Sequence, residues 1–258
     1  MLFFSNEILN IFIASTNSYG FKHFKRWKEI YFNEFIAFLG IILTLGVIKY
    51  PSRKYVFEKN GFGNIFVQTL MNLNRFNNIL NSWHYVNEND HSEEELKRSR
   101  QNDPFFVIKP FVTSLSSNFQ KYFNCGQKLD IDEQCIPWKG RYKCRCYNPN
   151  KPTKFHFKVF SLNDSETGYM TNFYLYQGKS ENRPEGVPAT LFPFHKLLNP
   201  KQYMNKNHII YTDNWYTSIS SLHVVLNFGN HYIGTVKTNR KGIPSLFTTK
   251  GNSKKKKR

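Results

Sequence analysis

Apolar residues recur every three or four positions through most of the N-terminal half of the chain, which is the spacing of an amphipathic helix. In the first such segment Ser5 precedes the apolar stripe as a candidate N-cap, and Glu7 lies in the first turn, where a negative charge is favourable. Asn33 is the predicted N-cap of the second helix, and Pro51 ends it. The pattern predicts helical segments over residues 5–19, 33–50, 64–84 and 105–123. Residues 87–103 are polar without an apolar period, so a mobile surface linker is predicted there.

The period changes from Leu129 onward, where apolar and polar residues alternate as they do in strands. Five strands are predicted, at residues 129–136, 154–162, 169–177, 208–214 and 231–238, and two helices are predicted at 191–198 and 217–228. Residues 163–168, NDSETG, have turn composition and join the second strand to the third. The resulting order, β-β-β-α-β-α-β, predicts an α/β fold with a mixed sheet and helices on both faces, preceded by an all-helical N-terminal region.

The balance of charge favours a polyanionic partner. The 258 residues include 36 Lys and Arg against 18 Asp and Glu, a net charge of +18 that points to nucleic acid before an acidic membrane surface. Lys, Asn, Phe, Ile and Tyr are all abundant, as in an AT-rich coding sequence, which is a second source of this charge. The longest apolar run, Ile36–Ile48, is shorter than the roughly 18–20 residues that span a bilayer, so a buried core helix and no membrane partner are expected. The N-terminus lacks the basic region of a targeting signal.

The four cysteines all lie between residues 125 and 146, and none forms a CxxC pair. A disulfide framework spread over the chain is therefore not expected, and a reducing intracellular compartment is favoured. Cys144 and Cys146 could begin a metal site, but no His or Cys pair follows at the spacing of zinc ligands. Zinc is accordingly not an expected cofactor.

Residues 129–141, LDIDEQCIPWKGR, combine carboxylates with basic residues and are the first candidate for chemistry. In a strand Asp130 and Asp132 would share one face, and Glu133 would point to the other. Neighbouring carboxylates repel unless a cation lies between them, and a divalent metal ion is the usual solution. The two basic residues that end the segment would suit a phosphate backbone. The alternative is a set of ordinary surface acids at the start of an exposed hairpin.

Five ordered blocks of the C-terminal half resemble the piggyBac-type transposases: IDEQCIPWKGR (131–141), YNPNKPTKFHFKVF (147–160), GYMTNFYLYQGK (168–179), DNWYTS (213–218) and GTVKTNRKGIP (234–244). Four further blocks resemble the helical region of the same family: FFSNEILNIFIASTNSY (3–19), FIAFLGIILTLGVIKYPS (35–52), NRFNNILNSWHY (74–85) and IKPFV (108–112). The resemblance implies a ribonuclease-H-like core with DDE chemistry, preceded by a helical dimerisation and DNA-binding region. It also implies Mg²⁺-dependent DNA strand cleavage and transfer, with excision from and insertion at TTAA sites.

By match to the family's motifs, Asp132 takes the place of the first catalytic, metal-binding Asp and Asp213 that of the second. They are 81 residues apart (213 − 132), on the first and fourth predicted strands, which are neighbours in a ribonuclease-H-like sheet. Asp130 stands outside the motif and is interpreted as a bystander. The candidates for DNA phosphate contacts are Lys139, Arg141, Lys151, Lys154, Arg240 and Lys241.

The family's third catalytic Asp has no counterpart, because no Asp or Glu follows Asp213 in this chain. Two carboxylates would hold a second Mg²⁺ poorly, so we expect residues 1–258 to be inactive by themselves, and enzymatic activity is left open. A C-terminal truncation of a transposase explains this pattern. The chain ends in a candidate nuclear signal formed by Lys254, Lys255, Lys256, Lys257 and Arg258, which predicts a nuclear location.

Three divisions of the chain are predicted: a helical dimerisation and DNA-binding region (1–123), an incomplete ribonuclease-H-like core (124–245) and a basic tail (246–258). The expected partners are transposon-end DNA and a second copy, either an identical chain or a full-length one. Two alternatives to a transposase piece remain: a truncated or domesticated DNA-binding module without catalysis, and a decaying transposon remnant.

Overall fold

The computed structural model describes residues 2–86, 92–178, 181–199 and 201–244. The chain folds into two compact units, and the boundary between them lies between Leu115 and Ser116. The helices of the first unit are α1 (Asn6–His23), α2 (Phe32–Val47), α3 (Arg53–Val56), α4 (Ile65–Leu70), α5 (Leu73–Ser82) and α6 (Glu93–Asn102), followed by α7 (Lys109–Tyr122), which begins in this unit and ends in the next. In the described ranges no helix is both long enough and apolar enough to cross a bilayer.

Aromatic side chains form the core of the helical unit. Phe12, Phe35, Phe38 and Phe76 are almost completely buried, and their rings meet edge-on or tilted, with centroids 5.3–6.3 Å apart. Edge-to-face contacts of this kind add to the free energy gained by removing the rings from water. The apolar run that was predicted to be a core helix lies in α2, which contributes two of these rings.

Several helix ends in this unit differ from the sequence prediction. The Ser5 side chain caps α1 as predicted, but α2 begins after Tyr31 without a side-chain cap, so Asn33 is not its N-cap. The helix predicted over 64–84 is two helices, because Asn72 caps a new one by accepting a hydrogen bond from the N–H of Arg75. Most of the predicted linker at 87–103 is α6, which Ser92 begins with a capping box.

Arg75 ties the helical unit together. Its guanidinium donates two hydrogen bonds to the carboxylate of Glu34, at 2.7 and 2.6 Å, and lies 5.2 Å from the ring centre of Trp27. A bidentate Arg–carboxylate pair over an aromatic face fixes side-chain orientation as well as charge. Arg75 therefore supports helix packing.

The second unit is built on a mixed sheet of six strands. The strands are β1 (Lys128–Pro137), β2 (Cys146–Tyr147), β3 (Phe155–Asp164), β4 (Met170–Leu175), β5 (Ile209–Thr212) and β6 (His231–Gly234), with helices α8 (Phe192–Leu198) and α9 (Ile219–Asn227). The strand order is β2-β3-β1-β5-β6, and β4 also pairs with β3. β1 is antiparallel to β3 and parallel to β5, and β5 is parallel to β6. The predicted α/β class is confirmed.

Two details of the sheet were not predicted. β2 is a two-residue strand that alternation cannot reveal, and β6 ends at Gly234 rather than at residue 238. The core of this unit contains Leu129 and Ile131 of β1, whose side chains are at most 1% exposed. Because side chains alternate along a strand, this burial places Asp130 and Asp132 together on the face opposite that core.

Candidate active site

The pairing of β1 with β5 indicates that Asp132 and Asp213 are neighbours across the two strands. β1 pairs with β5 at a constant offset, from Lys128 beside Ile209 to Ile131 beside Thr212. The next step of that register places Asp132 beside Asp213. Adjacent strands lie about 4.8 Å apart, so two carboxylates extend from neighbouring positions at the carboxyl end of β5. Ligands of α/β sheets bind at this kind of edge.

The carboxylate of Asp132 is available for a ligand. Asp132 is exposed, and within the described residues its side chain has no hydrogen-bond or ion-pair partner. Its backbone is held instead, because the Ser161 hydroxyl on β3 donates to the Asp132 carbonyl oxygen at 3.4 Å. Strand pairing thus fixes the backbone of Asp132 and leaves its carboxylate without a partner among the described residues.

The turn that follows β5 fixes Asp213. One carboxylate oxygen accepts a hydrogen bond from the N–H of Trp215 at 2.8 Å, and the carbonyl oxygen accepts from the Thr217 hydroxyl at 2.7 Å. The guanidinium of Arg240 donates to the carbonyl oxygens of the intervening residues, Asn214 and Trp215, at 2.6 and 3.2 Å. Local and distant contacts therefore both hold the turn.

Gly234 lets β6 approach the same turn. A Cβ atom at this position would collide with the hydroxyl of Thr217, which is the group that holds the Asp213 carbonyl. Any larger residue at 234 would therefore displace either β6 or the turn. This explains a glycine at the start of the GTVKT block in physical terms.

Tyr216 is a buried tyrosine in the turn that follows β5. Its side chain is 1% exposed, and burial raises the pKa of its hydroxyl. The negative charges of Glu133, Asp132 and Asp213 raise that pKa further.

Glu133 and Asp130 are engaged elsewhere. Glu133 forms an ion pair with Lys158 at 3.1 Å. The Lys158 ammonium also lies 5.3–6.0 Å from the ring centres of Phe160, Tyr176 and Trp215, in a cleft of about 270 Å³. Asp130 accepts hydrogen bonds from the side chains of Asn163 and Ser165, at 2.9 and 3.2 Å. Both acids are therefore occupied by partners on the sheet and its turn.

Two charged side chains of this cleft, Lys158 and Glu181, were not predicted from the sequence. Lys158 lies in an alternating strand segment, where its spacing from Glu133 carries no signal of contact. Glu181 lines the same cleft, and burial raises its pKa to about 6, although Arg183 and Lys196 act in the opposite direction. At neutral pH this carboxyl is mostly ionised.

The predicted DNA-contacting side chains differ in their solvent exposure and in the hydrogen bonds that they already make. Five are exposed and lie on loops: Lys139, Arg141, Lys151, Lys154 and Lys241. Arg240 is half-buried and already donates to two backbone carbonyls, so its guanidinium is not simply a solvated surface charge. Arg145, which was not predicted, donates to the carbonyl oxygens of Lys139 and Gly140 and orders the loop that carries two of the five. The candidate nuclear signal, Lys254–Arg258, lies outside the described residues.

The side chains present suit one hard divalent ion. Asp132 and Asp213 offer carboxylate oxygens, which Mg²⁺ prefers, and each has at least one oxygen without a partner among the described residues. No cluster of three or more His, Cys, Asp or Glu side chains suited to a metal ion occurs in the described ranges. The four cysteines, Cys125, Cys135, Cys144 and Cys146, are all free thiols.

A mixed sheet in which the central strand β1 is antiparallel to β3 and parallel to β5 is the arrangement of a ribonuclease-H-like core. A model of the family described as Transposase IS4 matches residues 1–258. The chain therefore belongs to this transposase family.

Individual relatives agree with the piggyBac resemblance. The chain is 28% identical over 248 residues to human PiggyBac transposable element-derived protein 3, covering 92% of this chain and 39% of the relative. It is 23% identical over 264 residues to human PiggyBac transposable element-derived protein 5, covering 96% of this chain and 49% of the relative. A solved structure of a piggyBac transposase synaptic complex with hairpin DNA matches with a TM-score of 0.85 and 26% identity, over 97% of this chain and 52% of that one. The chain thus spans about half or less of the length of each of these relatives.

Proposed function

We propose that this chain contributes the DNA-binding surface and two of the catalytic carboxylates of a piggyBac-like DDE transposase, which cleaves and transfers DNA strands. The observation that carries the proposal is the parallel pairing of β1 with β5, which ends with Ile131 beside Thr212. Continued by one residue, that pairing puts Asp132, in the middle of β1, beside Asp213, just after β5. These two side chains would hold one Mg²⁺. Such an ion supplies activation of the attacking oxygen and neutralisation of charge on the phosphate.

The chain's own residues have two tasks in this proposal. The β-sheet fixes the backbone of Asp132, and the Asx turn after β5 fixes the carboxylate of Asp213, so that little backbone reorganisation is needed when a metal ion binds. The exposed basic residues of segment 139–154 bind the phosphate backbone and orient the scissile strand. They are Lys139, Arg141, Lys151 and Lys154. The piggyBac transposase of similar fold was solved in a complex with hairpin DNA, which supports DNA as the partner of this chain. TTAA targets, a dimer with an identical or full-length copy, and a nuclear location belong to the same proposal.

Phosphate binding by the 139–154 loop predicts a specific salt dependence. Alanine at both Lys139 and Arg141 should reduce the slope of log K against log [salt] by about 2, because each lost phosphate contact removes roughly 0.9 from that slope. Fluorescence anisotropy with duplex DNA over a salt series measures it. Lys128→Ala is the matched control, since Lys128 lies at the far end of β1 and pairs with Glu166. A slope that the double variant leaves unchanged contradicts the loop as a DNA contact.

We expect a polypeptide of residues 1–258 to give no plasmid excision above background with matching transposon ends. Two carboxylates cannot balance the charge of two divalent ions, and no acid follows Asp213 in this chain. Robust excision by the purified chain would overturn the two-carboxylate proposal.

A second function is a DNA-binding module without catalysis. The net charge of +18 favours it, and it requires the loop residues but not the acids. Asp132→Asn separates the two functions. DNA affinity in the presence of Mg²⁺ should change if the carboxylates work with a metal ion at the DNA, and should stay constant if binding is purely through basic residues.

A further inference from the structure

Four aromatic side chains form a partly exposed surface beyond the end of β1, which we call the aromatic platform: Trp138, Tyr147, Phe155 and Phe157. The ring centre of Trp138 lies 5.1 Å from that of Phe157, and the ring centre of Tyr147 lies 4.8 Å from that of Phe155. Each pair of rings restricts the orientation of its members. Trp138 and Tyr147 nevertheless remain 42% and 60% exposed, so the platform presents clustered aromatic surface to solvent, which is typical of a binding surface.

The aromatic platform lies on the same face of the sheet as Asp132. Tyr147 pairs with Phe155 and Ile136 pairs with Phe157, and paired residues of antiparallel strands point to one face. Asp132 precedes Ile136 by four residues (136 − 132), an even number, so its side chain points to that face as well. The distance along β1 is roughly 14 Å. A DNA strand that passes Asp132 and follows β1 therefore reaches the platform after about four steps of 3.4 Å.

The charge around the aromatic platform favours a polyanion. Between Glu133 and Asp164 the chain contains seven Lys and Arg residues and no Asp or Glu. Arg145 belongs to both features, because its guanidinium lies 4.5 Å from the ring centre of Phe155. Aromatic rings interleaved with basic side chains match the bases and the phosphates of a nucleic acid strand. Charge complementarity therefore specifies DNA as the occupant of this surface.

Exposed aromatic rings distinguish unpaired DNA from duplex DNA. In a duplex the flat faces of the bases are stacked on one another, so a duplex offers this segment mainly its phosphates. An unpaired base exposes a flat face and stacks on aromatic side chains whatever its identity. The rings of Trp138 and Tyr147 are therefore suited to the unpaired part of a DNA strand.

We propose that the aromatic platform binds unpaired bases of the DNA strand that lies at Asp132 and Asp213, by stacking on Trp138 and Tyr147. This rests on the proposed function for the position of the strand. Stacking itself needs neither a metal ion nor the two carboxylates, so it is measurable in their absence. The platform adds to the phosphate contacts of segment 139–154 a preference for DNA with an unpaired end.

Fluorescence anisotropy in EDTA compares the binding of residues 1–258 to a blunt duplex and to the same duplex with a short unpaired thymidine tail. The tailed DNA should bind at least about fivefold more tightly, which corresponds to the stacking of one base. Tyr147→Ala and Trp138→Ala should each reduce this gain, and Tyr147→Phe should keep it because the ring remains. Tyr122→Ala is the matched control, since Tyr122 is similarly exposed but ends α7, before β1 begins, and it should leave both affinities unchanged.

Salt dependence separates stacking from phosphate binding. Tyr147→Ala and Trp138→Ala remove no charge, so they should lower the affinity for tailed DNA without changing the slope of log K against log [salt]. Alanine at both Lys139 and Arg141 should instead reduce that slope with either DNA. A merely structural effect of the aromatic substitutions would weaken blunt and tailed DNA alike.

Tryptophan fluorescence keeps the test valid should an alanine variant fail to fold. A single strand should quench the emission of the unaltered chain more than a blunt duplex does, because only unpaired bases stack on Trp138. Trp138→Phe, which keeps a ring of similar shape, should lose this extra quenching and retain the affinity for tailed DNA.

The platform is overturned if the unpaired tail adds no affinity, or if the alanine substitutions weaken blunt and tailed DNA equally. Should the blunt duplex still bind through Lys139 and Arg141 in that case, the proposed function stands without the platform. If neither DNA binds, the proposed function fails together with the platform.

Discussion

Replacing Asp164 with alanine is expected to lower the free energy of unfolding by about 3 kcal/mol, because several donors lose a charged acceptor that is 2% exposed. The carboxylate at the end of β3 accepts from the N–H of Gly126 at 2.7 Å, and from the N–H groups of Glu166 and Thr167 at 3.2 and 2.9 Å. The Thr167 hydroxyl adds a fourth bond at 2.8 Å. Asp164 therefore joins the β3–β4 turn to the segment that enters β1.

The size of this effect should depend on pH. Burial by itself would raise the pKa of Asp164, but its four hydrogen bonds outweigh burial and lower the pKa below the ordinary value of 3.8. A carboxyl whose pKa is lower in the folded state stabilises that state fully above its unfolded pKa. The contribution is lost as pH falls through the folded pKa. The difference between the two proteins should therefore be largest near neutral pH and shrink below about pH 4.

Urea unfolding at pH 7 and at lower pH measures both expectations. The predicted loss corresponds to a fall in Tm of roughly 6–12 °C for a chain of this size. Glu166→Ala is the matched control on the same turn, since its exposed ion pair with Lys128 should contribute at most about 1 kcal/mol. Equal effects of the two substitutions would show that the hydrogen bonds of Asp164 do not stabilise the fold.

Local patterns predicted the elements better than their ends. Alternation from Leu129 onward located five of the six described strands, and the apolar period located most helices. Both patterns are set by residues only a few positions apart in the sequence. The segment at 93–102 was missed because it lacks an apolar stripe. Its helix starts from the capping box of Ser92 and Glu95, a signal that was present in the sequence and not used.

Side-chain roles that depend on distant partners could not be predicted. Arg240, which was predicted as a phosphate contact, also donates to backbone carbonyls 25 and 26 residues earlier in the chain, and no local pattern indicated those contacts. Lys158 meets Glu133 only because β3 folds back against β1. No pattern in one strand specifies its register with another. The pairing of Asp132 with Asp213 was predicted from the motif match, which carries register information that a single strand lacks, and it stays a prediction.

The register of β1 and β5 limits how many metal ions the candidate site could hold. Neighbouring positions on parallel strands place two carboxylates within reach of one ion, but a second ion needs further ligands. Glu133 and Asp130 cannot supply them without breaking their bonds to Lys158 and to Asn163. In the proposed function the two carboxylates would therefore hold one divalent ion, and a second ion would need an acid from another segment or chain.

Asparagine at either Asp132 or Asp213 is expected to weaken Mn²⁺ binding by at least about tenfold, and the double substitution to abolish it. Each substitution removes one charge from a pair that shares an ion, and a neutral amide is a much poorer ligand for a hard dication. Titration followed by electron paramagnetic resonance measures free Mn²⁺ directly and should give one site per unaltered chain. Unlike excision, this measurement does not require the third carboxylate.

Asp130→Asn is the matched control, because Asp130 lies on the same strand and the same face but is held by Asn163 and Ser165. It should leave Mn²⁺ affinity within about twofold of the unaltered chain, since Asp130 would supply no ligand atom and a nearby charge in contact with solvent is worth only a few tenths of a kcal/mol. An equal loss in Asp130→Asn would mean that Mn²⁺ responds to the overall charge of the sheet edge. Retention of affinity in both Asp132→Asn and Asp213→Asn would remove the carboxylate pair from the proposed mechanism.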